Sequence, residues 1–302
     1  MDNKIIRIGS RESVLAIRQA EIVKQKIESA MQNLHVEIIT MKTMGDKILD
    51  KSLELIGGKG LFVKELDRAL AEDKIDISVH SLKDMPMMVS EELPLLAFTE
   101  REDPRDVLIY KAGHKSVPDN GVIGTSSRRR MLQLKRMFPG CSFEGIRGNI
   151  QTRMKKLETG QYDATMLAAA GVKRLQMEGC IGRYFSTEEL IPAAGQGILA
   201  VQGRKGEWEC LKEILNDSTS ETAAKAERKF VEVLDGGCTS PIAAFAEVKG
   251  NEFLLRGLYY RESDEAWFVD EMAGDRENAE AAGEALALQM RRKYGEKNDG
   301  ER

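Results

Sequence analysis

No apolar run in this chain approaches the ~18 residues that a membrane-spanning helix needs, which excludes helical membrane architectures at the outset. The first residues, Met1-Asp2-Asn3-Lys4-Ile5-Ile6-Arg7-Ile8, pass from charge into a short strand-like run and lack the apolar core of a secretory signal, so export is not expected. Cysteine is scarce and scattered: Cys141, Cys180, Cys210 and Cys238 form no Cys-x-x-Cys pair, and the only histidines are His35, His80 and His114. Neither a zinc site nor a disulfide framework is suggested, no metal is expected, and reduced thiols fit the cytoplasm. Neither sign of charge dominates, with 45 Lys and Arg against 49 Asp and Glu and a net charge of -4, so no basic face is available for nucleic acid. Internal repeats and low-complexity segments are also missing.

What remains is the composition of an ordinary soluble protein, 42% apolar and 31% charged, and its 302 residues suffice for two or three domains at ~150 residues each. Ile5 to Ile8 reads as a strand, and Ser10 can cap a helix carrying Val14, Ile17, Ile22 and Val23. A strand over 35–41, a helical stripe of Phe62, Val63, Leu66, Ala69 and Leu70, and a strand over 75–80 ending at Ser81 come next. This alternation predicts an α/β sheet with crossover helices. The charged stretch Glu100-Arg101-Glu102-Asp103-Pro104-Arg105-Asp106 interrupts the pattern like a hinge. A second series then begins: a strand tip at 122–124, a helix capped by Asn149, a buried strand at 164–167, and the glycine-rich 191–197 as a return crossing. A third, smaller unit has a helix from Ala223 with Phe230, Val233 and Leu234, strands over 242–248 and 253–260, and a last helix with Ala282, Ala285, Leu286 and Met290.

Four features could carry chemistry. Gly236-Gly237-Cys238-Thr239-Ser240-Pro241 sets a lone thiol where no regular element can continue; it is either presented for covalent chemistry or a small buried hydrophobe. Arginines collect among Gly, Ser, Thr and Asn: Arg11 near Ser10 and Ser13, Arg128, Arg129 and Arg130 after Gly124-Thr125-Ser126-Ser127, Arg147 before Gly148-Asn149, then Arg153 and Arg174. Backbone amides and hydroxyls can there point at the anion that guanidinium forks clamp, which implies a polycarboxylate or phosphate ligand. Gly57-Gly58-Lys59-Gly60-Leu61-Phe62 lacks the spacing of a nucleotide phosphate loop and reads either as a mobile loop over a cleft or as a surface turn. Ser81-Leu82-Lys83-Asp84-Met85-Pro86 follows a strand, so Lys83 and Asp84 fall at a sheet's carboxyl edge, where open α/β sheets bind ligands; a structural Lys–Asp turn is the alternative. His80 reads as a strand-end residue rather than a base.

Together these segments resemble the porphobilinogen deaminase family across nearly the whole chain. Ile8-Gly9-Ser10-Arg11-Glu12-Ser13, the Gly57 loop, His80 through Pro86, the 100–106 stretch, Gly124-Thr125-Ser126-Ser127, Arg147-Gly148-Asn149, Pro192-Ala193-Ala194-Gly195-Gln196-Gly197 and the Cys238 loop carry the likeness. The resemblance implies three α/β domains: the first two like type II periplasmic binding proteins around a cleft, the third a small α/β domain carrying the cofactor cysteine. The corresponding boundaries are 1–100 with 198–218, 101–197, and 219–302. It further implies a transferase that condenses four porphobilinogen molecules into hydroxymethylbilane on a dipyrromethane primer bound as a thioether to Cys238. Asp84 matches the catalytic aspartate. Lys83, Ser127, Arg129, Arg130, Arg147, Ser81, Asp46 and Gly148 match positions around the cofactor; Arg11, Ser13, Gln19, Arg147, Arg153, Arg174, Lys59, Phe62 and Gln196 match positions for substrate.

The family also implies a cytoplasmic monomer with a small-molecule substrate and neither a nucleic-acid nor a membrane partner. Two positions depart from the family pattern: Arg128 stands where many relatives have leucine, and Leu55 where some have lysine. A solute receptor of the same fold is the rival reading, since fold alone does not fix function. Asp84 and Cys238 together argue against it, because a receptor needs no primed thiol.

Overall fold

Two five-stranded sheets and one three-stranded sheet organise the described residues, 4–44, 63–236 and 241–295 of a computed structural model. The first sheet contains β1 (Lys4–Arg11), β2 (Leu34–Met41), β3 (Ile77–Ser81), β4 (Leu95–Phe98) and β10 (Leu199–Gly203) in the order β2-β1-β3-β10-β4. β1 is parallel to β2 and β3, whereas β10 is antiparallel to β3 and β4. Helix α1 (Val14–Ala30) covers one face. Its buried stripe is Ala16, Ala20, Val23 and Ile27, at helical spacing, of which Ala20, Val23 and Ile27 pack with Ile6, Ile8, Val36, Ile77 and Val79. Of the expected positions, Val23 lies in this stripe and Ile22 packs against the same core, whereas Val14 is exposed. The cap also differs: Ser10 still belongs to β1, and Ser13, in extended conformation, accepts the Ala16 N–H at 3.2 Å.

The second sheet repeats the plan with β5 (Asp106–Tyr110), β6 (Val122–Gly124), β7 (Ser142–Glu144), β8 (Ala164–Ala168) and β9 (Arg183–Tyr184), ordered β7-β6-β8-β5-β9. β6 is parallel to its neighbours and β5 antiparallel to both of its own. Counted within each lobe, both sheets run 2-1-3-n-4, where n is the strand that enters from the other lobe. This exchange is the type II periplasmic-binding-protein arrangement. The chain crosses between lobes twice, over residues 99–105 and 191–198; the crossings hydrogen-bond to each other through Glu102 N to Gly197 O (3.1 Å), and Thr99 N donates to Leu199 O at the start of β10 (2.9 Å). Gly197 has φ +94°, and a Cβ there would strike the Glu102 carbonyl oxygen, so only glycine fits the crossing.

Helices α2 (Lys64–Ala71), α3 (Arg128–Met137), α4 (Ile150–Glu158), α5 (Ala169–Arg174) and α6 (Leu211–Leu215) flank the two sheets. The third unit is an antiparallel meander of β11 (Ala243–Lys249), β12 (Glu252–Arg261) and β13 (Ala266–Asp275), packed under α7 (Ser218–Val233) and α8 (Ala279–Tyr294). Phe230 of α7 is fully buried, and its ring lies where a Cβ on Gly257 would otherwise sit. Burying such a side chain stabilises by about 1.5–3 kcal/mol. Among the described residues no helix is long and apolar enough to cross a membrane.

Candidate active site

Strand β3 ends in a 3-10 turn, Leu82–Asp84, in which Asp84 lines a cavity and Lys83 reaches Gln196 on the second crossing. Leu82 is the buried anchor: its N–H donates to Ile198 O at 3.0 Å and its carbonyl accepts from Met85 N at 3.1 Å, so the turn is fastened to the second crossing. Lys83 Nζ donates to Gln196 Oε1 at 3.3 Å, and Gln196 Nε2 donates onward to Pro104 O (2.7 Å) and Asp106 Oδ1 (3.1 Å). Asp106 then receives Arg130 through Nε (3.0 Å) and Nη2 (2.6 Å), with Arg129 Nη1 2.8 Å from its other oxygen. A continuous polar chain therefore runs from the first lobe, over the crossings, into α3 of the second.

Asp106 is the residue that sequence reasoning missed. It is fully buried, and although burial raises its carboxyl pKa, the guanidiniums of Arg129 and Arg130 outweigh that and hold it well below the usual carboxylate range. In the sequence it is only the end of a charged hinge; the available signal was a carboxylate leading directly into the apolar run Val107-Leu108-Ile109. Arg129 and Arg130, expected to face a ligand, thus meet a protein carboxylate, and they also donate to Ile191 O (2.7 Å) and Met166 O (3.2 Å).

Two helix starts converge on the same cleft. Ser127 caps α3 by accepting the Arg130 N–H at 3.4 Å, and Asn149 caps α4 by accepting the Thr152 N–H at 2.9 Å. Gly148, at φ +111°, turns the chain ahead of that cap, and its carbonyl accepts Arg153 Nε at 3.0 Å. On the other wall, Gln19 Nε2 donates to Ser81 Oγ at 2.9 Å. Arg11, Ser13, Gln19, Ser81 and Asp84 line one cavity of about 60 Å³, together with Leu15, Val63 and the buried His80. Arg174 donates instead to Gly197 O, on the crossing. Lys59, Phe62, Asp46, Leu55 and Cys238 lie outside the described residues.

The electrostatics point to an anionic ligand. Burial drives the Lys83 ammonium down to about 8 despite the opposing pull of Asp84. Burial also lowers Arg153, the nearby charges of Arg130 and Arg147 lower it further, and Asp84 opposes them. Cations that depress one another in this way gain when carboxylates arrive, so the donor set fits a ligand with several carboxylate groups. His80 is held neutral, pushed to about 4 by burial, with Nε2 2.8 Å from Ser78 Oγ; it is part of the strand and not a base. A larger cavity of about 350 Å³, lined by Tyr110, Lys111, His114 and Cys180, contains none of the expected residues.

Comparison with known proteins places these features in one lineage. The family model described as "Porphobilinogen deaminase, dipyromethane cofactor binding domain" matches residues 6–212, and "Porphobilinogen deaminase, C-terminal domain" matches residues 222–292. The chain is 50% identical to the porphobilinogen deaminase of Acetivibrio thermocellus over 285 residues, 94% of this chain and 97% of that one. It is 50% identical to that of Ruminiclostridium josui over 95% and 98% of the two chains, and 43% identical to that of Thiobacillus denitrificans over 93% and 94%. Among solved structures, the periplasmic aliphatic sulphonate binding protein SsuA from Escherichia coli aligns with 76% of this chain and 70% of its own, at 11% identity and a TM-score of 0.42, too loose a likeness to speak to ligand or role. The chain belongs to the porphobilinogen deaminase family.

Proposed function

We propose that Asp84 is the catalytic group of a transferase that joins four porphobilinogen molecules head to tail with loss of ammonia, releasing the linear tetrapyrrole hydroxymethylbilane. Cys238 carries the dipyrromethane. When bound there, that group supplies the pyrrole carbon to which the first substrate is joined. Lys83, Ser81, Ser127, Arg147 and the backbone of Gly148 hold its carboxylates, Asp46 stands near the same group as an acceptor for its N–H groups, and Arg129 and Arg130 act from a fixed position against Asp106. Arg11, Ser13, Gln19, Arg153, Arg174, Gln196, Lys59 and Phe62 serve the incoming substrate and the growing chain.

The observation that carries this reading is the charge pattern around Asp84. Asp106 is already matched by two arginines, whereas Asp84 sits at the cavity edge within the field of Lys83 and Arg153. When the C–N bond of porphobilinogen breaks, the electron pair leaves with ammonia and the pyrrole methylene becomes an azafulvene cation. A carboxylate within ~4 Å, at an effective dielectric near 20, stabilises that cation by about 4 kcal/mol, roughly a thousandfold in rate. The surrounding cations bind the ring carboxylates, and Asp84 answers the one positive charge the reaction creates. Asp84→Ala is therefore expected to fold and to lose about a thousandfold in hydroxymethylbilane formation. A rate near that of the unaltered enzyme removes Asp84 from the role.

We divide the chain into three domains, 1–100 with 198–218, 101–197 and 219–302; the presence of three separate sheets among the described residues supports this division. A cytoplasmic setting is supported by the free thiols of Cys141, Cys180 and Cys210. A monomer with no nucleic-acid or membrane partner is in keeping with the family and with the net charge of -4.

A further inference from the structure

After the turn that presents Asp84, the chain over residues 85–90 runs without regular structure. Its carbonyl groups have no strand ladder to satisfy them, and Pro86 has no N–H to offer. Arg228 of α7 meets this need. Its Nη2 donates to Pro86 O and to Met87 O, the latter at 2.8 Å, and the side chain is buried. Ser220, Ala224 and Arg228 recur every four residues and so share one face of α7. Along that face Ser220 Oγ accepts the Arg101 N–H at 2.9 Å, and Ala224 packs in the cluster that contains Leu82 and Met85, the residues flanking Lys83 and Asp84. The helix itself is anchored by the neighbouring Glu227. That fully buried carboxylate accepts Arg101 Nη2 (2.8 Å), Gly195 N (2.7 Å) and Ala246 N (2.8 Å), joining both crossings to the third sheet.

The helix that backs Asp84 is also the helix whose carboxyl end leads into the Gly236 to Pro241 loop. We propose that Arg228 is a positioning residue for the condensation, holding the Asp84 segment on α7 so that the catalytic carboxylate keeps one place relative to the helix that leads to the cofactor cysteine. This rests on the roles of Asp84 and Cys238 proposed above. A chain fixed at one end and extended at the other must bring each new end to the same carboxylate. The turn is short, and one guanidinium from the third unit holds two successive carbonyls just beyond it. Without it the turn keeps its anchor at Leu82 but loses its support just beyond Asp84.

The test uses the full chain with its cofactor attached, in the variants Arg228→Met, Arg228→Lys and Asp84→Ala. Rates are expressed per adduct-bearing molecule counted by intact mass, and melting is followed alongside. Arg228→Met is expected to lower kcat about ten- to a hundredfold with KM changed less than about twofold, as a small misplacement of a catalytic group does. Arg228→Lys, which can still donate to the same carbonyls, is expected to recover part of that loss. A folded Arg228→Met enzyme with unaltered kcat overturns the proposal. So does a kcat loss that the lysine variant leaves undiminished while restoring the melting temperature, because that separates stability from turnover. If Arg228→Met does not fold, Arg228→Lys decides alone: a severalfold lower kcat at unchanged KM supports the proposal, and unchanged kcat overturns it. Near-normal turnover in Asp84→Ala sinks the catalytic role of Asp84 whatever the Arg228 variants do.

Discussion

Replacing Asp106 by asparagine removes one negative charge from beneath two buried guanidiniums while keeping the side chain's size. Arg129 and Arg130 have side-chain exposures of 5% and 8%, and Asp106 has none, so water cannot take over the lost role. The amide also turns one acceptor into a donor that faces guanidinium N–H groups 2.6–3.0 Å away. Breaking a buried pair from one side costs about 3–5 kcal/mol. At about 2–4 °C per kcal/mol for chains of this order of size, melting should fall by roughly 6–20 °C. A pH series supplies a second arm. Because the folded carboxyl lies below its unfolded value of ~3.9, Asp106 contributes its full stability above about pH 4 and loses it as the pH falls towards the folded value. The gap between the unaltered protein and Asp106→Asn in urea midpoints should therefore be constant near neutrality and narrow below pH 4. A variant that melts within about 2 °C of the unaltered protein at pH 7 would refute the idea that Asp106 holds the two arginines in place.

Lys83 should impose a pH dependence of its own. Burial lowers its ammonium from 10.5 to about 8, so as the pH rises through 8 the charge is lost and KM for porphobilinogen should climb; Lys83→Arg should flatten that rise, and an identical rise in both proteins excludes Lys83 as its source. The stability sign is opposite: the cost of burying a charged lysine is present below pH 8 and relieved between 8 and 10.5, so this group's loss of charge weakens binding without favouring unfolding. Gly197→Ala places a side chain at φ +94° against the Glu102 carbonyl, and should cost about 1–3 kcal/mol in urea unfolding; an unchanged midpoint means the crossing relaxes freely.

The alternation of strands and helices was legible because each lobe writes it locally: Ile77–Ser81 is buried almost throughout, and Asn149 caps its helix as its residue type suggests. β5 was hidden because its first residue, Asp106, looks like the end of a charged hinge, and the arginines that neutralise it lie 23 and 24 residues further on. β13 escaped notice because its apolar residues Ala266-Trp267-Phe268-Val269 come as one run followed by Asp270-Glu271, so the sequence lacks the period of two even though burial alternates from Phe268 to Ala273. The site was legible in part. Lys83 and Asp84 at a strand's end follow from local pattern, whereas the Lys83–Gln196–Asp106 chain joins residues 113 and 90 positions apart and leaves no local trace. Arg228 was likewise silent, one charge on an amphipathic helix, until its carbonyl partners 141 and 142 residues earlier were seen.

Intact-mass spectrometry of the purified protein, followed by mapping of the Cys238 peptide, tests most directly whether this chain builds its product on a covalent primer. The account predicts an adduct equal to two porphobilinogen units less two ammonias, confined to the peptide that contains Cys238. A fully active enzyme with an unmodified Cys238 would contradict it.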